Sequence, residues 1–301
     1  MNCPLRTGFA NRSWPSGESF ANISLFFPDA NRSGTLRLMF TTNESLIEQA
    51  ALVLAKRENL RWIIGGACSG KSTVCRAISE RTGLPVDDMD EAVFGRWRFD
   101  PDRHPATTAW FTAENPLGWM LSLPWPEFDA LYRAANAEYL DLLANELDGQ
   151  PDKPLLIDGG ITHPAVLVRA VPAERILCVE TSDDRRQREW ETAPERDEMR
   201  QWIAALPDGA AMWRRFLEYD RLMTATIGRE CRDGYIQVFN WDDTIEANQL
   251  AGQVIDHWSL SVTQPVDIES VLYEARKLRE LTDGFSISDD EFNAAKNFGR
   301  P

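Results

Sequence analysis

Apolar positions along this chain switch repeatedly between short continuous runs and stripes at the 3.6-residue helical period. Asn43 stands where a cap belongs, and Leu46, Ile47, Ala50, Ala51 and Leu54 behind it form one apolar helical face. A short run at Arg61–Ile64 predicts a strand, and similar runs recur at Leu84–Val86, Leu155–Ile157, Ile176–Val179 and Tyr235–Phe239. Amphipathic stretches separate them. Strands alternating with helices in this way predict an α/β fold of three α/β/α layers, with a five-stranded parallel sheet covered on both faces.

Two stretches depart from the alternation. Residues 91–150 contain Trp97, Trp110, Trp119 and Trp125 and end in a predicted helix from Glu127 to Leu147. They read as an insertion that binds an acceptor, with an aromatic satellite core as the alternative, since tryptophan buries large area wherever it lies. Residues 1–38 show no helix or strand period, carry Asn, Arg, Ser, Gly and Pro clusters, and repeat Ala-Asn-Arg-Ser at Ala10 and Ala30. Disorder is expected there, and Met39 marks an alternative start. The main domain is expected over 39–260. Beyond it, 261–301 carry Pro265, a helical stripe of Ile268, Val271, Leu272, Ala275 and Leu278, and a polar tail from Asp283.

Composition narrows the classes. No apolar run reaches the roughly 18 residues that span a bilayer, and no basic-then-apolar signal opens the chain, so a cytoplasmic protein is expected. A net charge of −15 over 301 residues argues against broad binding to nucleic acid or anionic membrane. Cys3, Cys68, Cys75, Cys178 and Cys231 show no metal spacing and read as reduced thiols.

One constellation carries chemistry. Gly65-Gly66-Ala67-Cys68-Ser69-Gly70-Lys71-Ser72 fits GxxxxGK[ST] directly after a predicted strand and before a predicted helix. In such a P-loop the glycines turn successive backbone N–H groups toward phosphates and the helix N-terminus adds positive potential. Lys71 would bridge the β- and γ-oxygens of ATP, Ser72 would ligate Mg²⁺, and Thr73 completes the nucleotide-binding run. Cys68 is either a loop filler or a thiol activated by the helix terminus. Asp158, at the end of the apolar strand Leu156-Ile157, is either a magnesium-holding carboxylate or a helix cap.

Further along, Asp88-Met89-Asp90 follows the second strand, Ile157-Asp158-Gly159-Gly160 the third, and Thr181-Ser182-Asp183-Asp184-Arg185-Arg186-Gln187-Arg188 with Pro194-Glu195-Arg196 the fourth. Together with the P-loop, these segments resemble the shikimate kinase, gluconate kinase and adenylate kinase group, over about residues 60 to 260. The resemblance is to the superfamily and not to one member. It implies a nucleoside-monophosphate-kinase-like fold, ATP and Mg²⁺ as cofactors, and transfer of the γ-phosphate to a hydroxyl or phosphate of a small molecule. By the same resemblance Asp88 and Asp90 handle the acceptor, with Asp87 leaving the register open, and Gly159 and Gly160 lie beneath it. A lid is implied over about 185–210, with Arg188 packing on adenine and Arg196 swinging onto the transferring phosphate. Arg215 and Tyr219 match an Arg-x-x-x-Tyr whose arginine grips an anionic acceptor, Arg214 being an equal candidate. Ile161-Thr162-His163-Pro164 supplies neither the Phe-Pro-Arg of adenylate kinase nor the third glycine of shikimate kinase, so the acceptor stays unidentified. An acidic turn capping the helix near Glu91 is the alternative for Asp88 and Asp90. A nucleotide-gated regulatory module and a nucleotide hydrolase are the alternatives for the whole. His104 and His163 form no metal cluster or triad in the sequence and read as structural unless they touch substrate.

Overall fold

The parallel sheet is formed by β1 (Leu60–Ile64), β2 (Val86–Asp88), β3 (Leu155–Asp158), β4 (Ile176–Glu180) and β5 (Gln237–Asn240), in the spatial order β2-β3-β1-β4-β5. A computed structural model describes residues 40–262 except residue 243. The expected behaviour of 1–38 and the expected helix over 265–278 lie outside the described residues.

Strand alternation decides which face each side chain serves. Trp62, Ile64, Ile157, Ile176 and Cys178 enter one core, while Ile63, Leu156, Leu177 and Val179 enter the other. The second core is closed by α2 (Lys71–Thr82) and α11 (Ala247–His257). The first and larger core takes α1 (Glu44–Leu54), α6 (Trp125–Leu147), the short α7 (Pro164–Leu167) and α10 (Gly209–Asp233). Helices on both faces of an all-parallel sheet give the expected three-layer α/β/α arrangement. As expected, Asn43 caps α1, its side chain accepting from the Ser45 N–H at 3.1 Å.

The tryptophan-rich stretch is helical nearly throughout. It begins with α3 (Met89–Glu91) and a π-helical turn at Ala92–Arg96, then forms α4 (Pro105–Thr112) and α5 (Pro116–Ser122). Prolines open both of the latter, where a missing N–H costs nothing. The segment after β4 folds as α8 (Asp183–Thr192), a 3₁₀ turn at Pro194–Arg196 and α9 (Asp197–Ala204).

Two strand boundaries differ from expectation. β2 starts at Val86, because Pro85 has no N–H to donate and offers only its carbonyl, to Leu156 at 2.9 Å. Tyr235 stays outside β5, 91% exposed and at φ +55°, where the chain reverses after α10. No helix among the described residues is long and apolar enough to cross a membrane.

Candidate functional site

Parallel strands bring their C-terminal ends to one edge of the sheet, and ligands collect there in open α/β sheets. Asp88 is paired with Asp158 across β2 and β3, and Asp158 with Ile63 across β3 and β1. Two carboxylates therefore end adjacent strands, one residue before the Gly65–Ser72 loop begins on the third. α2 starts at Lys71, and the Val74 N–H bonds the Gly70 carbonyl at 3.1 Å. Neighbours hold this loop closely: a side chain on Gly66 would meet Thr224 Oγ1 at 2.6 Å, and the Trp241 ring lies against Gly70. Buried polar atoms without a protein partner gather around it, namely Ser69 Oγ, Thr224 Oγ1 and Asp158 Oδ1.

Behind the loop lies a cavity of about 250 Å³. Gly65, Ala67 and Lys71 form its glycine-rich-loop side, Asp90 and Gly160 contribute from the ends of the neighbouring strands, and aliphatic and aromatic side chains with Thr107 and Thr162 make up the rest. Gly159 and Gly160 both have positive φ, at +69° and +75°. A Cβ on Gly159 would come within 2.7 Å of Lys71 Cε, and one on Gly160 would collide with Met89 Cβ. These two glycines let the lysine stem and α3 close on the same turn.

The three acidic residues after β2 divide their roles. Asp87 forms a bidentate pair with Arg96, at 3.0 and 2.8 Å. Asp88 Oδ1 caps α3, accepting from the Asp90 N–H at 2.8 Å and the Glu91 N–H at 3.4 Å. Asp90 alone lines the cavity. Asp90 keeps an exposed surface, yet the protein around its carboxyl desolvates it and raises its pKa; Lys71 opposes the rise and Asp88 adds to it. Burial also raises Asp158, opposed by Lys71 and by a hydrogen bond from Ser72, and reinforced by Asp88 and Asp90. Cys75, one turn into α2, is buried, keeps its proton through desolvation and shares it with Asp158. Ser72 and Thr73 are exposed at the start of the helix.

The arginines expected at the site separate. Arg196 reaches the glycine-rich loop, hydrogen-bonding Cys68, and lies over the Trp190 ring at 4.9 Å. Its charge is felt at Asp90. Burial raises the Cys68 pKa despite Arg196, so the activated thiol weighed from the helix terminus gives way to a neutral loop residue. Arg188 is exposed on α8. One turn earlier Arg185 lies over Trp241 at 4.5 Å and bonds the Asp242 carbonyl at 3.1 Å, a pair beside Gly70 that sequence reading did not identify. Arg215 donates to the Leu121 carbonyl at 2.9 Å and Tyr219 to the Leu123 carbonyl at 2.6 Å. Both hold the end of α5, and neither is among the cavity's lining residues.

Of the four tryptophans, Trp110 lines the cavity. Trp97 is core and donates to Glu146 at 2.7 Å, Trp119 packs on Phe40, and Trp125 stacks on Phe128. Both histidines are buried structural groups. His104 Nδ1 accepts from the Asp100 N–H and Nε2 pairs with Asp141 at 3.0 Å; His163 Nε2 pairs with Asp129 at 3.2 Å.

Three buried polar residues of α6 position the walls. Glu138 accepts from the Ala106 N–H, the Thr107 N–H and the Thr107 hydroxyl, at 2.8, 2.8 and 2.6 Å, and so caps α4 from a distance. Asn136 Oδ1 accepts from the backbone N–H groups of Thr162 and His163 at 2.9 and 2.8 Å. Asp141 takes Arg103 and His104; against the cost of burial, these bonds hold its carboxyl below the ordinary range. Among the described residues no three His, Cys, Asp or Glu side chains gather as a metal cluster. Set against family models and against curated proteins, the chain matches none.

Proposed function

We propose that this chain is a P-loop, ATP-dependent kinase that transfers the γ-phosphate to a small molecule held in the cavity. The observation that carries the proposal is that Lys71 and Asp90, from the first turns of helices that follow different strands, line one cavity with a mainly apolar wall. A hydrolase has no use for an apolar-walled cavity beside its phosphate loop, whereas a phosphotransferase needs one to hold an acceptor. The unpartnered hydroxyls of Ser69, in the loop, and Thr224, on α10 beside it, suit a site that faces phosphate oxygens, since buried polar groups otherwise find partners.

Magnesium takes one or two carboxylates together with substrate oxygens and water, and the donors here fit. The Ser72 hydroxyl and the buried, unpartnered Asp158 Oδ1 lie beside Lys71 and would hold it. When bound, the ion neutralises charge on the β- and γ-phosphates.

The remaining work falls to side chains of this protein. Lys71 offers its ammonium to the phosphates, and Arg196, tethered at Cys68 and Trp190, supplies a second cation on the loop. Asp90 accepts the proton of the acceptor hydroxyl as its oxygen bonds the γ-phosphorus. The bond from that phosphorus to the bridging oxygen breaks, its electron pair leaves on the diphosphate, and the proton passes to solvent. A carboxyl raised above its ordinary range is the better base.

The test is whether ATP turnover depends on an added acceptor. Lys71→Ala should weaken ATP·Mg binding while leaving the melting temperature unchanged, and Asp90→Asn should keep nucleotide binding and lose transfer by about tenfold or more. Equal ATP affinity in folded Lys71→Ala, read by calorimetry, sinks the assignment.

A further inference from the structure

From the cavity wall we infer that the acceptor is an uncharged alcohol with an apolar, ring-sized body, and not a sugar, a carboxylate or a nucleotide. The inference rests on the kinase reading and specifies its substrate class. The wall is mainly apolar, with Val93, Phe94, Trp110, Leu131, Tyr132 and Tyr139 among its lining residues, and Lys71 is the one basic side chain there. An anionic acceptor would need a cation at the far end of the chamber. The arginine placed to serve, Arg215, is committed to the Leu121 carbonyl. A polyol would need several hydrogen-bonding groups to replace the water it leaves, because each polar group buried without a partner costs binding. The polar groups available are already engaged: the Tyr132 hydroxyl donates to Met120 Sδ at 3.1 Å, and the Thr107 hydroxyl to Glu138 at 2.6 Å.

Size and shape agree with this class. A dry apolar cavity of about 150 Å³ takes up benzene. The chamber here, about 250 Å³, accommodates one ring with a short hydroxyl-bearing arm, or a fused bicycle. Phe94 and Trp110 meet edge to face, with centroids 5.4 Å apart, and Tyr132 and Tyr139 form the opposing wall from α6. Aromatic side chains favour ring ligands in such offset or edge-on geometry. The indole N–H of Trp110 is buried without a protein partner, which leaves one donor for a polar atom of the ligand. The hydroxyl of a bound alcohol then belongs at the single polar end, where Asp90 and Lys71 stand together.

The experiment uses the full chain in two independent measurements. Saturation-transfer NMR without nucleotide reads occupancy of the cavity by 2-phenylethanol, 2-(indol-3-yl)ethanol, glycerol, gluconate, shikimate and AMP. Phosphorus NMR with ATP and magnesium then reads phosphate transfer to each. The expected result is binding and phosphorylation of the two aromatic alcohols alone. Ala135→Leu, which fills the cavity from α6, should weaken their binding by about tenfold or more at unchanged ATP affinity. Should that variant not fold, Trp110→Phe provides the same test by widening the chamber: preference should move from the phenyl toward the indolyl alcohol by about tenfold. Transfer to glycerol, gluconate, shikimate or AMP with none to the aromatic alcohols overturns the inference and leaves the kinase reading standing. Aromatic alcohols that bind but are not phosphorylated, in a protein that binds ATP, overturn the kinase reading and leave the cavity's preference standing. Aromatic alcohols that fail to bind at all, or that bind the filled variant equally well, overturn the inference.

Discussion

Replacing Glu138 by glutamine changes one atom and should cost the protein about 3 kcal/mol. The carboxylate is 2% exposed and receives three donors, two of them backbone N–H groups of α4. An amide has one accepting oxygen. Oriented toward Thr107, that oxygen keeps the Thr107 N–H and hydroxyl, but the new NH₂ then faces the Ala106 N–H, donor against donor. One buried backbone N–H and the amide protons lose their partners, at about 1–3 kcal/mol for each unsatisfied group. Loss of the charge weakens the two bonds that remain, since bonds to a carboxylate are about twice as strong as neutral ones. Urea denaturation of the full chain, followed by tryptophan fluorescence and far-ultraviolet circular dichroism, measures the change. Because Ala106, Thr107 and Trp110 of α4 all line the cavity, a loosened α4 should also weaken acceptor binding more than ATP binding. A Glu138→Gln protein within about 0.5 kcal/mol of the parent, the range of ordinary surface substitutions, would refute the idea that this carboxylate holds α4 in place.

Two further outcomes can be measured on the same preparations. Gly160→Ala forces a side chain into φ +75° and against Met89, which should cost about 2–4 kcal/mol in denaturant melts and displace Asp90 through α3. Burial pushes the Asp220 carboxyl to about 6 against the pull of Arg186. Its folded pKa lies above its unfolded one, so the native state holds the extra proton and stability falls as pH rises from about 4 to 6. At about 1.4 kcal/mol per pH unit this amounts to about 3 kcal/mol, and Asp220→Asn should flatten that slope in melts across the window. An unchanged slope would show that the carboxyl does not titrate there.

The sheet was legible because parallel strands buried on both faces leave apolar runs that few other structures produce. All five runs lie at or within two residues of a strand, and the two shifted boundaries fall where a proline or a positive φ interrupts the pattern. The glycine-rich turn between β1 and α2 was legible for a different reason: its GxxxxGKS spelling marks a tight backbone turn followed by helix onset. The acceptor side was less so. Asp87, Asp88 and Asp90 are chemically alike, and only three-dimensional neighbours separate an ion pair with Arg96, a helix cap and a cavity carboxylate. The Arg-x-x-x-Tyr spacing at Arg215 fixes a helical face without saying what that face meets, here the end of α5. One signal was available and went unread. On the predicted helix ending at Leu147, Leu131, Tyr132, Ala135 and Tyr139 repeat at helical spacing, and that face lines the cavity.

The same helix shows how the chain divides stability from function. α6 spends three buried positions on Asn136, Glu138 and Asp141, where an aliphatic residue would pack without needing partners. Each of the three reaches a different segment: Asn136 the turn at Thr162 and His163, Glu138 the start of α4, and Asp141 the His104 corner before it. A buried polar residue adds little net stability even when satisfied, and it fixes one geometry because any other leaves it unpaired. These three are therefore better understood as constraints on the cavity than as contributions to the core. The apolar side chains of α6 that share a core with α1 and the sheet are other residues, among them Leu140, Leu143 and Leu147. Weakening any one of the three should loosen the acceptor wall well before the sheet, and the phosphate loop anchored on it, gives way.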